Sequence, residues 1–173
     1  MLTYLILAST LLSFACGACM ADVASFDWKS IGIVRTATAL ELPATPNGWS
    51  IGAETMDRNF TVFSEWSKYL PGLGARRARV QGGWARCEQK KGVYSWGWLD
   101  EIVHGMLKVG VTPWIELSYG NPAYSGGGDP TSSSPLPKEG EAKQAFLDWC
   151  KAVVGRYGPL GVSQWELWNE PVH

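Results

Sequence analysis

The stretch VSQWELWNEP, residues 162–171, decides how the rest of the chain is read. It intersperses large apolar or aromatic residues with polar ones from Val162 to Trp168 and closes on Asn169, Glu170 and Pro171, so it reads as a strand stopped by a proline. Side chains alternate along a strand, which places Glu166, Trp168 and Glu170 on one face and Trp165, Leu167 and Asn169 on the other. Three earlier stretches have the same character: WSIGAETM (49–56), ARRARVQGGW (75–84) and VTPWIELSYGNP (111–122). Helical patterns lie between them. TVFSEWSKYLPGLG (61–74) spaces Phe63, Trp66, Tyr69 and Leu70 along one face and stops at Pro71 and Gly72. SWGWLDEIVHGMLKVG (95–110) does the same with Leu99, Ile102, Val103, Met106 and Leu107, and stops at Gly110. KEGEAKQAFLDWCKAVVGRYG (138–158) aligns Phe146, Trp149, Cys150, Val153, Val154 and Tyr157 before Gly158 and Pro159.

Strands alternating with helices require a parallel sheet with helical crossovers. An open doubly wound sheet and part of a (β/α)8 barrel both satisfy that order. The doubly wound fold wants a glycine-rich phosphate loop after its first strand, and AETMDRNF (53–60) is not one. A barrel gathers its chemistry at the carboxyl ends of its strands. Polar and aromatic residues collect there in this chain: Gln81, Trp84, Ser118 to Asn121, Asn169 and Glu170. The expected fold is therefore α/β, the amino-terminal half of a (β/α)8 barrel over residues 49–173. AYSGGGDPTSSSPLP (123–137) reads as a long, flexible surface loop after the third strand, with Asp129 solvated.

Residues 1–21 read as a secretory signal peptide: apolar from Leu2 to Phe14, then small residues, with cleavage after Ala18 or Ala21. The apolar run is short for a membrane span, and the expected location is extracellular or periplasmic. Cys19 offers a lipid-anchored start as a lesser alternative. Residues 22–48 read as a leading β segment. The remaining cysteines, Cys87 and Cys150, match no zinc spacing and no disulfide-dense scaffold. The net charge of −1 over 173 residues, with no basic stripe, gives no field that would draw nucleic acid or an anionic membrane. No metal constellation or nucleotide loop is present in the pattern, so no cofactor is expected. The ten tryptophans fit a large aromatic core, or rings that line a sugar-binding cleft.

Parity along the strands makes a sharper statement. Arg77, Arg79 and Gln81 alternate with Ala78 and Val80, and Trp114, Glu116 and Ser118 alternate with Ile115 and Leu117. With the apolar sets against the helices, Arg79, Glu116 and Glu166 meet inside the barrel as a charged cluster that must pair internally. Glu170 then reaches the open mouth. Cleaving a glycosidic bond needs such a carboxyl to protonate the leaving oxygen, and a second carboxylate to attack the sugar or activate water. Trp84 and Trp168 are expected to wall the acid's pocket and Asn169 to hold a sugar hydroxyl. Gln81, Tyr119 and Asn121 are candidates to line the sugar subsites.

WELWNEP (165–171) resembles the acid/base motif of the clan A glycoside hydrolases, retaining (β/α)8 barrels in which an Asn-Glu pair closes the fourth strand. RVQGGWARCEQKKGVYSWGWLDEIV (79–103) resembles the second-strand region of members near family 39, the β-xylosidase-like enzymes, through Trp84, Glu88, Gly92, Tyr94, Leu99 and Asp100. YGNP (119–122) fits as well. Gln81-Gly82 stands where that family often has His-Gly. The resemblance covers about Trp49 to Pro171. It implies Glu170 as general acid/base, Asn169 as a substrate contact, and an oligosaccharide or polysaccharide substrate; Trp168 remains a candidate substrate contact from its place beside them. It also implies a nucleophilic Glu at the end of a seventh strand, to which no residue here maps. The chain is thus expected to be the amino-terminal part of a longer enzyme. The alternatives are a noncatalytic carbohydrate-binding module or an inactive fragment.

Overall fold

A computed structural model describes residues 29, 32, 36–42, 49–131 and 134–169. The signal-peptide segment, Glu170 and most of residues 22–48 lie outside the described residues. The chain divides into two units, Met1–Val34 and Arg35–His173, and nearly all described residues belong to the second. In the leading segment, residues 39–41 form a turn, with Leu42 N donating to Thr38 O (3.1 Å).

Four strands form one parallel sheet in sequence order: β1 (Ser50–Gly52), β2 (Arg77–Gln81), β3 (Thr112–Leu117) and β4 (Trp165–Leu167). The helices between them are α1 (Phe63–Trp66), α2 (Trp84–Cys87), α3 (Gly97–Lys108) and α4 (Gly140–Tyr157). The predicted helix over 61–74 keeps α geometry only in α1 and continues as a 3-10 helix, Ser67–Leu73. Pro71 explains the change, because it has no N–H to give and its ring crowds the preceding turn.

The two long helices, α3 and α4, each bury one face. Leu99, Ile102, Val103 and Met106 of α3 are buried, as are Ala142, Phe146, Trp149, Val153 and Tyr157 of α4. Each large side chain buried this way stabilises the fold by roughly 1.5–3 kcal/mol. Val154, expected on the same face, is instead exposed, since a residue one step from Val153 lies about 100° around the helix. Asp100 ties the two helices together. Arg156 donates to it through Nε (2.7 Å) and Nη2 (2.5 Å), and Tyr157 Oη donates at 2.9 Å. Ala78, Val80, Ile115 and Leu117 form the sheet's buried helix-facing side, as their parity predicts.

The Gly82-Gly83 pair turns the chain from β2 into α2. A Cβ on Gly82 would sit 2.9 Å from Glu116 O, and Gly83 has φ +59° with space limited by Asp57. Gly82 is needed for close approach and Gly83 for the left-handed backbone.

The loop after β3 is more ordered than its composition suggests. Gly120 N donates to Asp129 O (3.2 Å) and Asn121 N to Gly127 O (2.8 Å), folding the glycines back onto the strand end. Asp129 is exposed, as expected, and its Oδ1 also builds a turn by accepting from Thr131 N and Thr131 Oγ1, both at 2.6 Å.

Candidate active site at the strand ends

Register brings the polar faces together. Arg79 lies beside Gly52 and Trp114, and Gln81 beside Glu116, which lies beside Glu166. The predicted cluster of Arg79, Glu116 and Glu166 is present. Arg79 Nε donates to Glu166 Oε2 (2.8 Å) and Nη2 to Glu166 Oε1 (2.7 Å), a two-pronged pairing. Arg79 Nη1 donates to Glu54 Oε1 (2.6 Å), a partner that was not anticipated. Nη2 also lies 2.9 Å from Glu116 Oε2, an ion-pair contact off the line of the N–H bonds rather than an aligned hydrogen bond. The other Glu116 oxygen accepts from Ser118 Oγ.

One guanidinium therefore serves three carboxylates of unequal exposure. Glu116 is fully buried, whereas the Glu54 and Glu166 side chains are 40% and 36% exposed. Burial pushes the Glu116 carboxyl above its ordinary range, against the pull of Ser118 and Arg79. Arg79 is pushed up, first by its hydrogen bonds to Glu166, against the opposing effect of burial, and further by Glu54 and Glu116. All three acids thus face the one Arg79 guanidinium.

Above this floor lies a second tier of polar groups. Gln81 Oε1 accepts from Thr55 N (2.9 Å) and Arg58 Nη2 (2.7 Å), and its Nε2 donates to Tyr119 Oη (3.2 Å). Asn169 Oδ1 accepts from Arg79 Nη2 (3.1 Å), and its Nδ2 donates to Tyr119 Oη (2.9 Å). The Arg58 guanidinium lies 5.1 Å from the centre of the Tyr119 ring. Gln81, Tyr119 and Asn169 are thus joined, as their strand-end positions suggest. Asn169 stands next to Glu170 in sequence and is held by both tiers.

The other site expectations change. Trp84 is fully buried, with Tyr124 and Trp149 stacked at 5.4 and 6.3 Å and Phe146 edge-on at 5.4 Å, so no face is open to a sugar. Asn121 is also buried. Its Nδ2 donates to Glu88 O (2.9 Å) and its Oδ1 accepts from Ala123 N (3.0 Å), which makes it a loop-folding residue.

Trp168 breaks the predicted alternation. Its φ is +62°, and its ring is 2% exposed, edge-on to Phe146 at 5.5 Å and to Tyr119 at 6.3 Å. Left-handed backbone costs a residue with a Cβ about 1–2 kcal/mol. Burial of the ring offsets it, along with hydrogen bonds from Trp168 N to Leu117 O (3.2 Å) and from Nε1 to Ser134 O (3.0 Å). The twist moves Trp168 to the helix side and returns Asn169 to the lumen side.

Three residues were missed as partners. Glu54 follows Gly52 by two positions, so strand parity could have found it. Arg58 depends on a 3-10 turn, Met56–Arg58, flanked by left-handed Thr55 and Asn59, and no periodic signal announces that. Glu88 is buried and accepts from Trp84 Nε1 (2.6 Å), Gly92 N (2.6 Å) and Tyr124 Oη (2.5 Å), joining the segment after β2 to the loop after β3. A cavity of about 700 Å³ opens beside Trp114, Ser163, Gln164 and Trp165. It meets the charged floor at Glu166 and lies on the flank of β4, away from the Gln81–Tyr119–Asn169 tier. Among the described residues, no helix is long and apolar enough to cross a membrane.

No family model matches the chain, and no curated protein matches it. Among solved structures it is similar to a monomeric beta-xylosidase from Caulobacter crescentus CB15, at 21% identity and TM-score 0.51, over 79% of this chain and 30% of that one. It is also similar to a GH39 beta-xylosidase from Caulobacter crescentus, at 24% identity and TM-score 0.49, over 70% and 31%. The GH39 enzyme from Xanthomonas axonopodis pv. citri matches at 26% identity and TM-score 0.46, over 70% and 27%. The chain thus spans about 30% of the first of these structures. The likeness to it, together with the parallel β1-β2-β3-β4 order, establishes the α/β barrel-type fold.

Proposed function

We propose that the protein hydrolyses O-glycosidic bonds by a retaining double displacement, as a secreted clan A glycoside hydrolase near family 39. Glu170 protonates the leaving oxygen and then activates the water that releases the sugar. The nucleophilic carboxylate comes from a strand end beyond the four seen here. Asn169, Tyr119 and Gln81 contact an oligosaccharide or polysaccharide.

The observation that carries this reading is the double anchoring of Asn169 by Arg79 and Tyr119 at the carboxyl end of β4. Holding that amide rigid prepares it for a sugar hydroxyl without further ordering. The three acids below all face Arg79, and Glu170 follows Asn169 directly in sequence, which makes it the carboxyl we assign to proton transfer. A binding module that grips sugar on open aromatic rings is less well supported, because Trp84 and Trp168 are buried.

The test is hydrolysis of aryl glycosides by the natural gene product carrying this sequence. An aryl β-xyloside comes first, since the barrel with the similar fold is a beta-xylosidase. Glu170→Gln should slow poor leaving groups far more than activated ones, and added azide should restore turnover as a glycosyl azide of retained configuration. Equal loss across leaving groups, or unchanged activity, refutes Glu170 as acid/base. Failure to cleave any glycoside refutes the function.

A further inference from the structure

Tyr119 Oη accepts two hydrogen bonds whose direction is fixed from elsewhere. Gln81 Oε1 already faces two groups that can only donate, Thr55 N and Arg58 Nη2. Its amide cannot be turned over, so Nε2 must be the atom that faces Tyr119. Asn169 Oδ1 faces Arg79 Nη2, which also can only donate, so Nδ2 must face Tyr119. Two cations thus set the polarity of both amides. A phenol oxygen that accepts twice has its acceptor capacity filled and retains only its own O–H.

Among the described residues, those two amides are the hydrogen-bond partners of Tyr119 Oη. The residue is 6% exposed, and its ring is clamped between the Arg58 guanidinium at 5.1 Å and the Trp168 edge at 6.3 Å. The hydroxyl cannot swing away to bulk water. Burial also pushes the Tyr119 phenol pKa above the ordinary tyrosine range, so it keeps its proton. A buried O–H with no acceptor is expensive, and a bound ligand is the natural place to find one.

We infer that Tyr119 is a one-way hydrogen-bond donor that selects sugars presenting an oxygen acceptor at the position it faces. This inference rests on the glycosidase reading. Such a donor discriminates strongly, because an analogue lacking the oxygen leaves the O–H unpaired, whereas a substrate hydroxyl fills it. Tyr119 is then a specificity-determining residue, with Gln81 and Asn169 as the groups that orient it.

The experiment is kcat/KM for an aryl glycoside and each of its monodeoxy analogues, with wild type and Tyr119→Phe compared. The ratio between the two enzymes cancels the intrinsic reactivity of each analogue. At one sugar position, deoxygenation should cost wild type on the order of 10–100-fold, and Tyr119→Phe should lose most of that discrimination. Equal losses in both enzymes at every position overturn the inference and leave the glycosidase reading standing. Uncoupled losses together with a shifted acid/base limb of the pH profile also overturn it, and assign the hydrogen to the Glu170 carboxyl. If wild type cleaves no glycoside, the inference falls with the reading beneath it. Should the Phe variant fail to fold, 3,5-difluorotyrosine at position 119 keeps the shape. Discrimination must then fade as pH rises through the titration of that more acidic phenol, and persistence overturns the inference.

Discussion

Replacing Arg79 by Met tests the arrangement of the charged floor. Arg79 holds Glu54, Glu116 and Glu166, but its loss does not affect them equally. The side chains of Glu54 and Glu166 are 40% and 36% exposed and can be hydrated in place. Pairs of that kind contribute about 0.2–1 kcal/mol each. Glu116 is fully buried, and without Arg79 it is left with the neutral donors Ser118 and Gln81 beside its carboxyl. Stranding a buried charge by removing its partner costs about 3–5 kcal/mol. Most of the damage should therefore pass through Glu116.

The pH dependence has a definite sign. Burial already raises the Glu116 carboxyl above its ordinary value of 4.5, and losing Arg79 raises it further. The folded state then holds a proton that the unfolded state releases, so stability falls as pH rises from the unfolded value through the folded one. The deficit of Arg79→Met should be largest near pH 8 and should shrink as pH falls toward 4.5. Denaturant unfolding at several pH values measures it. Adding Glu116→Gln to Arg79→Met should recover more than half of the pH 8 deficit. A deficit that does not change with pH, or a double variant no better than the single, would refute the assignment of the cost to Glu116.

Two further substitutions test the frame around the site. Glu88→Gln replaces one acceptor oxygen with an NH2 donor that faces groups that only donate or already do so, Trp84 Nε1, Gly92 N and Tyr124 Oη, and should cost about 1.5–3 kcal/mol in denaturant unfolding. A change below about 0.5 kcal/mol would show that the carboxylate is not the joint between the two loops. Gly82→Ala puts a Cβ 2.9 Å from the Glu116 carbonyl oxygen, a backbone atom that cannot step aside, and should cost about 1–3 kcal/mol in the same assay. A stabilised Ala variant would show that the β2–β3 approach has slack.

What the sequence made legible depended on periodicity. The parallel order and the faces of β2 and β3 followed from alternation, as did the meeting of Arg79, Glu116 and Glu166. Those predictions needed only that each strand stay regular. Errors began where regularity stopped. Trp168 was placed one residue beyond β4 as if the strand continued, and its left-handed backbone sent the ring to the helix side. Trp84 was read as a pocket wall because it follows β2, yet Gly83 turns it inward against Phe146 and Trp149. Neither turn has a period to detect. Arg58 was invisible for the same reason, since its reach to Gln81 depends on two left-handed residues.

The break at Trp168 also separates two kinds of residue in WELWNEP. Had the strand continued, Trp168 would face the lumen and Asn169 the helices. The left-handed step reverses both, and only the reversed arrangement lets Asn169 reach Arg79 and Tyr119. The second tryptophan of the motif is therefore an anchor in the core, bonded to Ser134 O and packed on Phe146, and the ring supports the turn that delivers the asparagine. On that argument the tryptophan positions Asn169 rather than lining an open cleft. Its burial then has one cause: a strand that must end one residue early, so that the Asn169 amide is presented on the lumen side.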